Sequence, residues 1–210
     1  MGKQTPHIGL LLDENMPQQL IAKYKEELYH PNLEIEIRQF PFGGPHISLE
    51  WAIPTAIGVY ILKPYFTAFL SEAGKDHYSL FKKWLKKVSN NTRSIKIHTI
   101  VAERSRRKLD KSYSQSKAFS IQIFCNDNSH RIRFLFDKNL SKEVWEKAID
   151  KLFELLEDHF SDNNNDRISM WIQENDSHNE IWGLINSEEG DWRIVDFKKN
   201  AQESVAKNAS

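Results

Sequence analysis

The sequence predicts an α+β fold, a mostly antiparallel sheet packed against about three helices. Two observations carry this. Apolar residues recur in two periods, every second residue in short runs and every third or fourth in longer ones, and the short runs cluster as neighbours instead of alternating strictly with helices. Composition agrees: hydrophobic residues make up 40% and charged residues 28% of the chain's 210 residues, and the 12 Phe, 6 Trp and 6 Tyr supply enough bulk for a substantial core.

Taken in order, Ile8 to Leu12 reads as a short buried strand. Asn15 and Pro17 suit a helix start, and Leu20, Ile21, Tyr24 and Leu28 recur at helical spacing. His30-Pro31-Asn32 ends that helix. Leu33, Ile35 and Ile37 alternate with Glu34, Glu36 and Arg38 as a half-buried strand, followed by a Pro-Phe-Gly-Gly-Pro turn at 41–45. Segment 47–63 is open to either a strand or a helix, with a strand near 56–62 favoured. The apolar face Phe66, Phe69, Leu70, Ala73, His77, Leu80, Phe81, Trp84 and Val88 predicts one long helix, weakened at Gly74.

Ile95, Ile97, Thr99 and Val101 alternate as a strand. A polar, basic loop over 103–117 follows, then a hairpin of Phe119, Ile121 and Ile123 with Ile132, Phe134 and Phe136. Ser141 caps a helix with the face Trp145, Ala148, Ile149, Leu152, Leu155, Leu156, His159 and Phe160. Three strands are expected after it, near 167–173, 180–187 and 191–197. The expected order is β-α-β-(β)-α-β-β-β-α-β-β-β, in a single domain over 1–198 with a flexible tail over 199–210.

The net charge is zero, yet charge is divided by sign along the chain. Residues 75–133 carry 15 Lys/Arg against 4 Asp/Glu, and residues 137–196 carry 6 against 16. Lys82, Lys83, Lys86 and Lys87 fall on one helix face, and Arg104, Arg106, Arg107, Lys108 and Lys111 lie in the loop beyond it. Together they form the candidate anion-binding surface, because clustered cations attract phosphates and release their counterions. Tyr113 is placed to stack on a base. The expectation is a non-catalytic binding or adaptor protein engaging an anionic partner, either nucleic acid or nucleotide, or an acidic protein surface. The alternative is a salt-sensitive homo-oligomer in which the basic block of one copy meets the acidic block of another. Trp171, Trp182 and Trp192 in the acidic half are the candidate protein-interface residues.

Other chemistry finds less support. The run Glu174, Asp176, His178 and Glu180 reads as an acidic solvated loop: it does not follow an EF-hand, and one His is too few for a usual zinc site. The chain has no HExxH, GxSxG, Walker A or GxGxxG motif, and Cys125 has no base near it in sequence. No cofactor is expected. His77 and His159 read as hydrogen-bonded residues of helix faces. The stretch Trp51–Leu70 reads as buried core, since a central Lys such as Lys63 costs roughly 2.5–3.5 kcal/mol on membrane insertion. The opening residues lack a signal peptide's apolar region and the single Cys125 suits a reducing compartment, so the expected location is cytoplasmic.

Leu10–Leu28, LLLDENMPQQLIAKYKEEL, resembles the opening strand-turn-helix of PIN-like ribonucleases. Asp13, Glu14, Glu34 and Glu36, at a strand end and on the next strand, are carboxylates of the kind that hold Mg²⁺ for phosphodiester hydrolysis, and the resemblance implies a metal-dependent nuclease with Asp13 as a metal ligand. The rest of the chain lacks the later acidic clusters of such enzymes, such as a Thr-x-Asp-x-Asp-Phe run. Without them, Asp13-Glu14-Asn15 serves simply to favour a helix N-terminus.

Overall fold

A computed structural model describes residues 6–41, 55–69, 75–93, 115–125, 130–161, 165–175, 179–186 and 190–195. Seven strands form one sheet: β1 (Ile8–Asp13), β2 (Ile35–Phe40), β3 (Ile57–Ile61), β4 (Gln115–Phe124), β5 (Arg131–Asp137), β6 (Glu180–Ile185) and β7 (Trp192–Val195). The described helices are α1 (Gln18–Glu27), α2 (Lys63–Phe69), α3 (Lys75–Thr92), α4 (Lys142–Phe160) and α5 (Arg167–Glu174). The architecture is α+β.

The sheet runs β2-β1-β3-β4-β5-β6-β7. It is mixed, not mostly antiparallel: β1–β2, β3–β4 and β5–β6 are parallel, and the pairs between them are antiparallel. Each parallel pair is joined through helices, as parallel neighbours must be, while β4–β5 and β6–β7 are close in sequence and antiparallel.

Register gathers one residue of every second position onto a common face. Leu10 lies beside Val59, Val59 beside Ile121, Ile121 beside Phe134, and Phe134 beside Gly183. This apolar face and the buried sides of all five helices form one core cluster, with Trp145, Phe153, Phe81 and Tyr65 fully buried at its centre. The helices therefore share one face. β1→β2 and β5→β6 run the same way but step in opposite directions across the sheet, so their crossovers have opposite hands. One of the two is left-handed, against a right-handed norm of about 98%.

Two helix expectations change. The stretch expected as one long helix is described as α2 and α3, with residues 70–74 between them outside the described residues; the apolar face itself persists in Phe66, Phe69, His77, Phe81, Trp84 and Val88. The strand expected at 167–173 is α5. Asp166 caps it through the amides of Ile168 (2.8 Å) and Ser169 (3.0 Å), and Ile168, Trp171 and Ile172 then fall at i, i+3 and i+4, a helical stripe that also reads as broken alternation. The helices thus exceed the expected three. β4 starts at Gln115, inside the segment expected to be loop. The strand expected at 95–101 and the tail over 199–210 lie outside the described residues. No helix among the described residues is long and apolar enough to cross a membrane.

Candidate functional site

The second face of the sheet has a different chemistry. Among the described residues no helix packs on it. One cross-strand row reads Glu36, Gly9, Tyr60, Gln122, Arg133, Trp182, Val195, and the next reads Arg38, Leu11, Gly58, Ser120, Leu135, Leu184, Arg193. Gly9 and Gly58 are diagonal neighbours in adjacent strands, and the Tyr60 side chain lies against both. A Cβ at Gly9 would come 3.2 Å from Tyr60 Cβ, and one at Gly58 would sit 3.6 Å from Leu11 Cβ.

Beside Gly9 lies a cavity of about 380 Å³, lined by Pro6, Gly9, Leu10, Leu11, Leu62, Tyr60 and Phe124, with Glu36, Arg38 and Arg131 as its charged members. Small-molecule sites span about 300–1,000 Å³ and combine an apolar lining with a few polar groups. The Tyr60 and Phe124 rings lie nearly parallel, with centroids 6.1 Å apart and planes 26° apart. Arg38 Nη2 donates to Glu36 Oε1 at 2.8 Å in an exposed pair, the kind worth only about 0–1 kcal/mol. Arg131 meets Glu180 at 3.0 Å, and Arg133 meets the other oxygen of Glu180 at 3.2 Å while its guanidinium lies over the Trp182 ring at 5.1 Å. Burial pushes Arg133 below its ordinary value, and Glu180 opposes the shift, keeping an arginine charged beside an apolar patch of Leu135, Trp182 and Leu184. Near the cavity, Arg38, Arg131 and Arg133 thus stand with Glu36 and Glu180 beside the Tyr60 and Phe124 rings.

The basic helix face is engaged otherwise. Lys82 and Lys86 both bond Asp150, at 3.0 and 2.7 Å, and Lys87 bonds Glu27 at 2.6 Å; Lys83 is exposed. Tyr78 donates to Glu157, and Asn90 donates to Glu146 at 2.6 Å. The basic and acidic halves of the sequence therefore meet inside one molecule, along the α3–α4 contact and at Glu180. Arg104, Arg106, Arg107, Lys108, Lys111 and Tyr113 lie outside the described residues. The candidate interface tryptophans are buried: Trp171 and Trp182 are 8% exposed and Trp192 is 1% exposed, its Nε1–H donating to Ala148 O at 2.7 Å.

His159, Asp166 and Ser169 are adjacent, but Asp166 sits between the other two: His159 Nδ1 is 3.1 Å from it, and Ser169 Oγ donates to it. Ser169 Oγ also lies 3.5 Å from His159 Nδ1, but that nitrogen is closer to both Asp166 oxygens, at 3.1 Å, and the carboxylate takes the serine proton's bond, so the cluster anchors the start of α5 rather than forming a serine–imidazole pair. Asp13 Oδ1 accepts from the Asn15 amide at 2.7 Å, closing a turn. Asp13 pairs with Phe40 whereas Glu36 pairs with Gly9, so Asp13 and Glu36 stand roughly 13 Å apart along the strands. No three His, Cys, Asp or Glu among the described residues gather as a metal site. Of the acidic run near 174–180, Glu174 ends α5, Glu180 binds arginines, and 176–178 lie outside the described residues.

The cavity residues were missed because sequence reading followed the buried phase of each strand. The signal lay in the other phase: Gly58 and Tyr60 between Ile57, Val59 and Ile61, and Arg131 and Arg133 around Ile132. Only the strand order brings Tyr60 beside Phe124 and Arg131. Comparison with protein-family models, with curated proteins and with solved structures finds no match to this chain.

Proposed function

We propose that this is a non-catalytic binding protein whose ligand is a small anion joined to a planar ring, a nucleoside monophosphate being the natural example. The observation that carries the reading is the cavity beside Gly9, where Tyr60 and Phe124 stand with Arg38 and Arg131. A ring stacks on the aromatic pair, and the anion draws Arg38 from its weak exposed pairing with Glu36. An anionic partner was expected from the charge division. The site moves from the lysine face, whose Lys82, Lys86 and Lys87 already hold carboxylates, to the sheet. The reading takes residues 1–198 as one domain acting in the cytoplasm.

Calorimetric titration with AMP, adenosine and inorganic phosphate tests it. AMP should bind more tightly than either fragment alone. Tyr60→Ala should weaken AMP about 5- to 150-fold, the span of one stacking contact of about 1–3 kcal/mol. Arg131→Gln should remove the preference for AMP over adenosine. Equal binding of AMP and adenosine, unaffected by either substitution, would overturn the reading.

A further inference from the structure

We propose that His7, His30 and His77 form a protonation-sensitive clasp at one end of the cavity, so that acidification loosens the rim and releases the ligand. The clasp deepens the ligand reading only in its last clause; the switch itself stands on geometry.

The three imidazoles surround Phe69. His7, His30 and His77 lie 5.9, 5.2 and 4.6 Å from its ring, and His30 is 5.2 Å from His77. They come from the start of β1, the turn after α1 and the first turn of α3. Two of them have an Nδ1 committed as an acceptor. The Glu34 amide donates to His7 Nδ1 at 2.9 Å, and the Asn32 amide donates to His30 Nδ1 at 3.2 Å. A nitrogen that accepts an amide proton carries none of its own, and a protonated imidazole has only donors. Protonating either ring therefore sets N–H against N–H and breaks the bond. His77 sits with Nε2 3.3 Å from Leu28 O and Nδ1 3.3 Å from the Tyr65 hydroxyl, an arrangement the Nε2–H tautomer satisfies in full.

The surroundings offer little to balance added charge. Burial pushes His7 below the ordinary histidine value, with the Glu34 carboxylate opposing. Burial does the same to His77, the Leu28 carbonyl opposes, and the charges of His30 and His7 push it further down. The Tyr65 phenol from α2 is raised by burial and stays un-ionised. Lys75 and Asp76, just before His77 on α3, are exposed.

The clasp reaches the cavity through His7. Its backbone N–H donates to Glu34 O at 2.9 Å, and its carbonyl accepts from the Leu62 amide at 3.1 Å. Leu62 lines the cavity, as do Pro6 before His7 and Glu36 two residues beyond Glu34. Loss of the bond from the Glu34 amide to His7 Nδ1 leaves the His7 and Ile8 backbone bonds to Glu34 O in place, and so loosens, without parting, the β1–β2 end beside three lining residues.

Nitrogen NMR of the full chain labelled at histidine tests the switch without any ligand. All three rings should carry their proton on Nε2 at about pH 8, and the protection of the Glu34 and Leu62 amides should fall about tenfold, relative to the β4–β5 amides, as pH falls through and below the ordinary histidine range. A proton on Nδ1 of His7 or His30 above that range, or unchanged protection, overturns the clasp. The link to ligand is read from AMP affinity at one pH above that range and one below it, with His7→Gln as reference for the titration of AMP itself. The wild type should lose several-fold more affinity on acidification than the variant, and an equal loss overturns the link. If AMP binds at neither pH, the ligand reading fails while the NMR result still decides the clasp.

Discussion

Gly183→Ala and Gly58→Ala place the same methyl group at mid-strand in one sheet, with opposite expected outcomes. Gly183 lies on the helix-covered face beside Phe134 in the β5–β6 pair. A Cβ there would fall 2.7 Å from Phe134 Cδ1 and 3.0 Å from Cε1. The Phe134 ring cannot retreat. It is fully buried and packs edge-on against Trp192 at 4.9 Å, and Trp192 is itself fixed by its bond to Ala148 O. Overpacking of this kind costs about 1–3 kcal/mol, and the blocked ring puts Gly183→Ala in the upper part of that range. Removing a strand glycine returns about 0.5–1 kcal/mol, leaving a net loss of about 2 kcal/mol and a fall in Tm of about 4–8 °C. Gly58→Ala gains the same backbone term but meets Leu11 and Gln122 at ordinary contact distances of 3.6 and 3.7 Å. It should be neutral or slightly stabilising. Urea denaturation of both variants reads the difference. If Gly183→Ala proves as mild as Gly58→Ala, then Phe134 does not lie over Gly183, and the β5–β6 register and the two rows built on it are wrong.

Asp166→Ala should cost about 2 kcal/mol in the same assay, because it removes a helix cap and the buried partner of His159 together. Burial raises the Asp166 carboxyl, but bonds from Ser169 and His159 outweigh it and hold the group below its ordinary value. Its contribution should therefore be complete above the usual carboxylate range and be lost as pH falls through and below it; a wild-type-to-variant difference that stays constant down to strong acid would contradict this. Lys82→Ala and Lys86→Ala should each cost less than about 1 kcal/mol, since their pairs with Asp150 are partly exposed. Neither should change AMP affinity, and a large loss of affinity in either would return the site to the lysine face.

The buried half of this molecule was legible in the sequence. Ile57, Val59 and Ile61, the β4–β5 hairpin and the Trp145 face of α4 all follow from periodicity, because their large apolar side chains on the helix-covered face recur at the strand or helix period. The stretch at 167–173 misled because eight residues hold barely two turns, and Ile168, Met170 and Ile172 mimic a strand. The capping Asp166 was the signal that settles it. The parallel pairs were not legible, since strand order depends on which helix packs beside which, and no local pattern records that. The candidate site fell with them: Phe124 and Arg131 pair across the legible β4–β5 hairpin, but Tyr60 joins them only through the parallel β3–β4 pairing. The charge division was visible, but sequence could not show that Asp150 lies between Lys82 and Lys86.

Chemical-shift mapping with AMP tests the central claim most directly. Ligand seated in the cavity beside Gly9 should move the resonances of Gly9, Leu11, Tyr60, Leu62, Phe124 and Arg131 together and leave α3 and α4 unmoved. Shifts confined to Lys82, Lys83, Lys86 and Lys87, with Gly9 and Tyr60 silent, would contradict it.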